Sequence, residues 1–186
     1  MIRVTFLGTA AARPTVRRNV SAIALQREGD SFLLDCGEGT QRQMMRYGTG
    51  FSVRDVIVTH LHADHFLGIT GLLRTMALQG RTDPLRIFGP DSSRGTLEQV
   101  VSLGVDQVPF PLVIEQLSPG ACVEYDEYEV IAFPANHRTS ALGYAFVEHE
   151  RPGRFDITRA RALGVPEGPL FGKLHQGEAV DVDGHR

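Results

Sequence analysis

Apolar residues follow two different periods along this chain, and each period predicts one type of element. Short runs of β-branched, aromatic and aliphatic residues predict strands at residues 4–7, 21–25, 32–35 and 56–59. After these runs the period changes, because Ile69, Leu72, Leu73 and Met76 recur at the spacing of one helix face. The first half of the sequence therefore predicts strands that connect to an amphipathic helix.

The middle of the chain continues this alternation. Further strands are predicted at residues 85–88, 112–117, 122–125, 128–133 and 142–147. A helix is predicted at residues 92–103, and Gly104 is a suitable stop for it. Strands that alternate with helices over short connections are typical of a layered α/β architecture. Residues 1–150 are thus expected to form the main domain.

From Arg151 the chain becomes more polar and is broken by proline and glycine. Asp156 is a good N-cap for a short helix at residues 157–163, which Gly164 ends, and a second short helical segment is expected at 170–174. Such short helices bury little apolar surface. Residues 151–177 are therefore predicted to form a projecting arm.

The last residues, 178–186, offer two interpretations. Residues 179–182 alternate like a strand and meet Asp183-Gly184, a strong hairpin-turn signal, after which only two residues remain. The segment is either the start of a hairpin that has been cut short or a frayed polar tail. The local sequence leaves both open.

Composition narrows the class of protein only slightly. The chain has 186 residues, enough for one domain with a sizeable core, and its net charge of −3 does not indicate a general nucleic-acid binder. The arm nevertheless has a local basic excess, which includes Lys173, the only lysine.

The two cysteines form no C-x-x-C pair, and no apolar run approaches the ~18 residues of a membrane span. We therefore expect a cytoplasmic protein that does not enter a membrane.

The stretch VIVTHLHADH carries the strongest chemical signal. It places three histidines and an aspartate within six residues after a strand. His60 and His62 would lie at the end of that strand, whereas Asp64 and His65 would lie in the first turn of the next helix. Two sets of ligands suit two adjacent metal ions, and this ligand chemistry is typical of zinc, with iron or manganese as alternatives. A hydrogen-bonded polar turn is the competing interpretation.

Two further residues could belong to the same site. Asp35 ends a predicted strand in FLLDCGEGTQ, where it would either orient a histidine ligand through its second ring nitrogen or cap the turn. His137 follows a strand-like run in FPANHRT, where it would be either a further ligand or a partly exposed histidine. The residues alone do not decide between these roles.

Together these motifs resemble the metallo-β-lactamase superfamily, whose His-x-His-x-Asp-His signature corresponds to His60, His62, Asp64 and His65. Within that superfamily the chain is most similar to the ribonuclease Z family, which removes the 3′ trailer from precursor tRNA. The supporting stretches are FLGTAAARPTVRRN, LLDCGEGTQRQ, VTHLHADHFLGITGLL, ANH at His137, and GRFDITRARALGVPEGPLFGKL, which resembles that family's tRNA-binding arm.

The resemblance implies the N-terminal portion of an αββα sandwich and a site for two zinc ions. His60, His62 and His137 would bind one ion, and Asp64 and His65 the second, with Asp64 also the general base for the attacking water. Metal ions suit phosphodiester hydrolysis because they lower the pKa of water and stabilise the leaving oxygen. The family's bridging aspartate and final histidine are absent from these residues, which favours a truncated chain.

The resemblance also implies an RNA partner and a homodimer. Residues expected to contact precursor tRNA lie in the N-terminal loop and in the arm; they are Arg17, Arg18, Asn19, Gly168, Pro169 and Lys173. Two other hypotheses remain open. One is a superfamily hydrolase of small phosphodiesters or sulfate esters, which would not need the arm. The other is a non-catalytic, truncated form that binds tRNA without cutting it.

Overall fold

A computed structural model of the chain describes residues 1–104, 107–151 and 153–182. They fall into two compact units. The first comprises Met1–Glu124 and Glu129–Phe146, and the second comprises Tyr125–Tyr128 and the chain from Val147 onward. Among the residues so described, no helix combines the length and the apolar character needed to cross a membrane.

The larger β-sheet of the first unit has six strands in chain order. They are β1 (Ile2–Gly8), β2 (Ala22–Arg27), β3 (Asp30–Leu34), β4 (Asp55–Ile57), β5 (Leu85–Pro90) and β6 (Leu112–Leu117). The pairs β1–β2 and β2–β3 are antiparallel, whereas β3 to β6 run parallel to one another. Parallel pairing brings the carboxyl ends of β3, β4 and β5 to the same edge of the sheet.

Helices in the crossover connections cover one face of this sheet. They are α1 (Thr40–Tyr47), α2 (Ala63–Phe66), α3 (Ile69–Leu78) and α4 (Arg94–Ser102). The four apolar residues that predicted α3 are all buried, and they share one core with Leu33, Val56 and Ile87 of the sheet. Burying a side chain of this size stabilises the fold by about 1.5–3 kcal/mol. The prediction of α3 is confirmed.

The sequence did not predict α1. Its sequence, TQRQMMRY, is mostly polar, and only Thr40 and Met44 are buried. Left-handed glycines flank it, since Gly39 and Gly48 have φ of 75° and 64°. Because the helix contributes so few apolar residues, its position depends on packing against β1 and α3 rather than on an amphipathic pattern.

A second, three-stranded sheet lies against the other face. Its strands are β7 (Cys122–Glu124), β8 (Tyr128–Pro134) and β9 (Leu142–Glu148), in that order. The ring of Phe146 packs edge-on against Phe32 of β3 at 5.9 Å, and the Tyr144 hydroxyl donates to the Val58 carbonyl at 2.9 Å. The first unit is therefore a layered α/β structure, as predicted.

The second unit contains α5 (Ile157–Ala162) and α6 (Pro169–His175). Asp156 caps α5 by accepting from the Arg159 N–H at 2.9 Å, and the rings of Phe155 and Phe171 lie 5.0 Å apart. Both short helices are confirmed. Residues 179–181 are irregular and Val182 forms a single β-bridge, so the predicted strand is reduced to one bridging residue; Asp183-Gly184 lies outside the described residues.

Candidate metal centre

The histidine loop starts at the carboxyl end of β4 and is fixed from both sides. On one side, the Val58 N–H donates to the Phe88 carbonyl at 2.8 Å. On the other, His60 forms an antiparallel bridge with Ala141, and the Leu142 N–H donates to the Thr59 carbonyl at 2.9 Å. The loop therefore lies between the two sheets, next to the β8–β9 connection that carries His137.

Three imidazole nitrogens converge in front of this loop. His62 Nδ1 lies 3.1 Å from His60 Nε2 and 3.2 Å from His137 Nε2. His60 is buried, with 8% of its surface exposed, whereas His62 and His137 are open to solvent. The structure thus brings together two residues of the local motif and one that is 75 positions away in sequence.

The spacing of these nitrogens fits a metal ion. Two nitrogen ligands that each lie 2.0–2.1 Å from a tetrahedral zinc ion are about 3.3 Å apart. The observed 3.1 and 3.2 Å are close to that value, and all three ligand atoms lie within 4.8 Å of one another. The set of three imidazoles could therefore hold one ion with a fourth position open to the cleft.

Asp64 and His65 lie beside this cluster rather than within it. Both belong to the first turn of α2, and His65 Nε2 lies 3.4 Å from Asp64 Oδ2. The ring of His65 is tilted against that of His60, with the ring centres 4.0 Å apart. The pair Asp64 and His65 is therefore adjacent to the three converging histidines but has separate ligand atoms.

Behind the histidines lies the buried carboxylate of Asp35. Its Oδ2 lies 2.6 Å from His65 Nδ1 and accepts from the Ser21 hydroxyl at 3.0 Å. Its Oδ1 accepts from the backbone N–H and the hydroxyl of Thr59 at 2.8 and 2.9 Å. The carboxylate thus contacts the histidine loop through both a side chain and the backbone.

The backbone of Asp35 is itself unusual. Its φ of 58° lies in the left-handed region, which costs a non-glycine residue about 1–2 kcal/mol. The conformation is held by the side-chain hydrogen bonds and by the Asp35 N–H, which donates to the Ile57 carbonyl at 2.9 Å. This left-handed conformation turns the chain at the end of β3, so that the carboxylate reaches Thr59, which follows β4.

Two glycines let the β3–α1 loop contact the start of α3. The Cys36 N–H donates to the His65 carbonyl at 2.7 Å, and the Gly68 N–H donates to the Cys36 carbonyl at 2.8 Å. A Cβ at Gly68 would lie 2.0 Å from the Gly37 carbonyl oxygen, and one at Gly37 would lie 2.2 Å from the Asp64 carbonyl oxygen. Only glycine fits at either position, so these residues fix the backbone that carries Asp64 and His65.

The environment shifts the pKa of two histidines in opposite directions. Burial, followed by the neighbouring rings of His65 and His137, lowers the pKa of His60 to about 4. Burial also lowers the pKa of His65, but the hydrogen bond and charge of Asp35 outweigh that effect, so the net pKa is raised. Near neutral pH, His60 is therefore an uncharged ring that can bind a metal.

The side chains of the site line an open cleft of about 850 Å³. Besides the histidines and Asp64, the cleft is lined by the small residues of the loop from Thr9 to Ala12. That loop is closed by a hydrogen bond from the Ala10 N–H to the Asn19 carbonyl at 2.8 Å. A cleft of this volume that is lined in part by small side chains can admit an extended substrate.

The residues predicted to contact RNA lie in both units. Arg17 and Arg18 are exposed, and their backbone N–H groups donate to the Thr15 hydroxyl. Asn19 donates through its amide to the Glu38 carbonyl at 2.8 Å, so it also holds the loop in place. In the second unit, Gly168 precedes α6 with φ of 136°, Pro169 is its first residue, and Lys173 is exposed.

Sequence reasoning missed Thr59 and Ser21. The Thr59 hydroxyl lies between Asp35 and His60, at 2.9 Å from Asp35 Oδ1 and 3.0 Å from His60 Nδ1. Threonine is common in strands because of its β propensity, so the residue type alone did not indicate a role in the site. Its position directly before the first histidine was the only usable signal.

Comparisons with known proteins show what this chain is similar to. The chain matches a family model described as anti-Pycsar protein Apyc1 over residues 2–144. It is 57% identical over 185 residues to a ribonuclease Z of Gemmatimonas aurantiaca and 53% identical over 186 residues to that of Myxococcus xanthus. These alignments cover 98% and 100% of this chain but 59% and 61% of the relatives. The chain thus spans about three fifths of the length of the curated relatives that it matches.

Solved structures show the same relationship. A human tRNase Z, short form, is 35% identical with a TM-score of 0.73, and the match covers 81% of this chain and 66% of that chain. The metallo-β-lactamase fold protein YhfI from Bacillus subtilis is 18% identical with a TM-score of 0.66, over 78% of this chain and 57% of that chain, which supports the fold alone.

This fold and the ribonuclease Z relatives imply that a metal is used, and the three histidines are its candidate ligands. The predicted fold and the predicted similarity to ribonuclease Z are both confirmed. Since the family model covers most of the chain, the protein belongs to the family of the anti-Pycsar protein Apyc1 and has the metallo-β-lactamase fold.

Proposed function

We propose that this protein is a zinc-dependent endoribonuclease that removes the 3′ trailer from precursor tRNA by attack of water on a phosphodiester. The observation that carries the proposal is the convergence of His60, His62 and His137, with Asp64 and His65 beside them. This cluster lies in a chain that is more than half identical to two named ribonuclease Z proteins over nearly its whole length.

In this proposal the ligands divide between two zinc ions. His60, His62 and His137 hold one ion through the nitrogens that lie 3.1 and 3.2 Å apart. Asp64 and His65 contribute to the second, and their 3.4 Å separation also suits two ligands of one ion.

The chemistry divides between the ions and the protein. Zinc ions, when bound, would lower the pKa of water, neutralise the phosphate and stabilise the leaving oxygen. Asp64 would accept the proton of the attacking water on its carboxylate. Asp35 would hold His65 by accepting from its Nδ1, which leaves Nε2 directed toward Asp64. The small residues at Thr9–Ala12 would leave room for the ribose-phosphate chain.

Substrate binding would involve both units. Arg17 and Arg18 are exposed on the loop whose residues Thr9–Ala12 line the cleft, and guanidinium groups can bind phosphates in a bidentate manner. Gly168, Pro169 and Lys173 would bind the body of the tRNA through α6. The ribonuclease Z alignments extend over this second unit, which supports tRNA as the substrate. We also propose that the protein is cytoplasmic and forms a homodimer.

One observation favours a second candidate. The family model ends at residue 144, before α5 and α6 begin. A hydrolase of small phosphodiesters would need the metal centre but not these two helices. This candidate predicts that activity toward a small diester survives deletion of residues 151–176.

The test uses the protein at its native length, established first by intact mass of material from its native source. A 5′-labelled precursor tRNA and bis(p-nitrophenyl) phosphate are incubated with the protein and zinc. We expect one cut at the trailer, abolished by chelation, and at least a roughly 100-fold loss of rate in Asp64→Ala, because general bases contribute that much. Asp126→Ala, which removes an exposed carboxylate outside the cleft, is the control.

Two outcomes would contradict the proposal. Hydrolysis of the small diester without cleavage of precursor tRNA would support the second candidate. Salt-sensitive tRNA binding that persists in Asp64→Ala, with no cleavage by either form, would instead support a protein that only binds tRNA.

A further inference from the structure

One buried carboxylate serves histidines from both sets of proposed ligands. Asp35, which is 4% exposed, contacts His65 directly, with 2.6 Å between Oδ2 and Nδ1. It contacts His60 indirectly, because the Thr59 hydroxyl lies 2.9 Å from Asp35 Oδ1, 3.1 Å from Oδ2 and 3.0 Å from His60 Nδ1. The same hydroxyl lies 3.5 Å from His65 Nδ1. Thr59 is thus the only link between the carboxylate and His60 among these contacts.

The number of available protons decides the direction of each hydrogen bond. The Asp35 carboxylate accepts from the Ser21 hydroxyl and from the Thr59 N–H, so it acts as an acceptor throughout. The Thr59 hydroxyl has a single proton, and a charged carboxylate is a stronger acceptor than a neutral ring nitrogen. The hydroxyl therefore donates to Asp35 and accepts from His60, which requires the His60 proton to be on Nδ1.

This arrangement determines which nitrogen of His60 is free. With the proton on Nδ1, the lone pair is on Nε2, the atom that lies 3.1 Å from His62 Nδ1 in the converging set. Without the hydroxyl, His60 keeps its 3.1 Å contact with His62 Nδ1, which is compatible with a proton on either nitrogen of His60. A proton on Nε2 would prevent that nitrogen from binding a metal.

We propose that Thr59 is a positioning residue: its hydroxyl transmits the charge of Asp35 to His60 and thereby keeps His60 Nε2 free for a metal ion. His65 receives the same carboxylate directly, so loss of the hydroxyl weakens metal binding at the His60, His62 and His137 set and leaves the His65 contact with Asp35 in place. This inference rests on the proposed assignment of His60 as a ligand.

The test measures metal affinity rather than cleavage. Native-length apoprotein is titrated with Co²⁺, followed by visible absorption, and with Zn²⁺ against a chromophoric chelator. Thr59→Val, which keeps the shape but removes the hydroxyl, should weaken binding by roughly 10–100-fold, as loss of a second-shell partner does. Thr59→Ser, which restores the hydroxyl, should recover affinity near that of the wild type.

Thr70→Val is the matched control. The Thr70 hydroxyl donates to the Val100 carbonyl of α4 at 2.9 Å, and neither residue lines the cleft that holds the histidines. It therefore loses a hydrogen bond of similar length without any link to a ligand, and its metal affinity should equal that of the wild type. Long-range ¹H–¹⁵N spectra of the apoprotein should also show the His60 proton on Nδ1 in the wild type and a mixture of tautomers in Thr59→Val.

Three results would overturn the inference. They are unchanged affinity in Thr59→Val, equal losses in Thr59→Val and Thr70→Val, and a wild-type protein that binds no metal. A different result would contradict the proposed function alone. If the protein binds metal as described but does not cleave precursor tRNA, the role of Thr59 stands and the assigned substrate is wrong.

Discussion

In Gly68→Ala, the lower conformational entropy of the unfolded chain opposes a packing clash, and the structure predicts which effect is larger. Gly68 lies at the N-terminus of α3 with φ of −70° and ψ of −16°, a right-handed helical conformation that alanine adopts without strain. The entropy of the unfolded chain alone would make Gly68→Ala stabilising by about 0.4–1 kcal/mol.

The contacts around Gly68 predict the opposite result. A Cβ there would lie 2.0 Å from the Gly37 carbonyl oxygen and 2.9 Å from the Cys36 carbonyl oxygen, and backbone atoms cannot rotate away. Overpacking costs about 1–3 kcal/mol. Separating the loops would also weaken the hydrogen bonds that link Cys36 to Gly68 and His65, each worth about 0.5–1.5 kcal/mol. The net destabilisation is therefore about 1–5 kcal/mol.

Urea denaturation of the metal-free protein at native length measures this difference directly. The control is Gly95→Ala, because Gly95 lies within α4 and an added Cβ there would meet nothing within 4 Å. We expect Gly95→Ala to be neutral or stabilising and Gly68→Ala to be clearly destabilising. Equal or greater stability in Gly68→Ala would refute the claim that the two loops must approach this closely.

Three further predictions concern the site and the arm. In Asp35→Asn, asparagine can adopt the left-handed backbone conformation, but its side-chain NH₂ would face hydrogen-bond donors. We expect the free energy of unfolding in urea to fall by about 1.5–3 kcal/mol and zinc to bind more weakly in a competition assay. The pKa of His60 is about 4, below the 6.5 of an unfolded histidine, so the unfolded state takes up its proton first as pH falls. The free energy of unfolding of the apoprotein should therefore decrease between pH 6.5 and pH 4, and His60→Gln should flatten that part of the stability profile. Lys173→Ala should weaken tRNA binding and reduce the slope of log affinity against log salt by about 1, while hydrolysis of a small diester stays unchanged.

The sequence predicted best where the information is local. The period of Ile69, Leu72, Leu73 and Met76 defined α3, because all four face the core. The histidine motif was equally clear, since its residues lie within one loop and one helical turn. By contrast, α1 buries only two side chains, so its sequence contains no apolar face from which it could be predicted.

Non-local contacts explain what the sequence left open. Whether His137 joins the other histidines depends on the β8–β9 connection meeting the end of β4, which the bridge between His60 and Ala141 shows. The role of Asp35 depended on the register of β3 and β4, which places it beside Thr59 and His65. Thr59 was missed because the partners of a hydroxyl group cannot be deduced from neighbouring residues.

Asp35 shows how two separate requirements can limit a position to one residue type. A φ of 58° favours glycine, asparagine and aspartate, whereas four hydrogen bonds from Ser21, Thr59 and His65 require a short side chain that only accepts. Glycine and asparagine meet the first requirement, and aspartate alone meets both. A library of all substitutions at this position, if selected for folding alone, should therefore return several residues, whereas selection for an intact metal centre should return only aspartate.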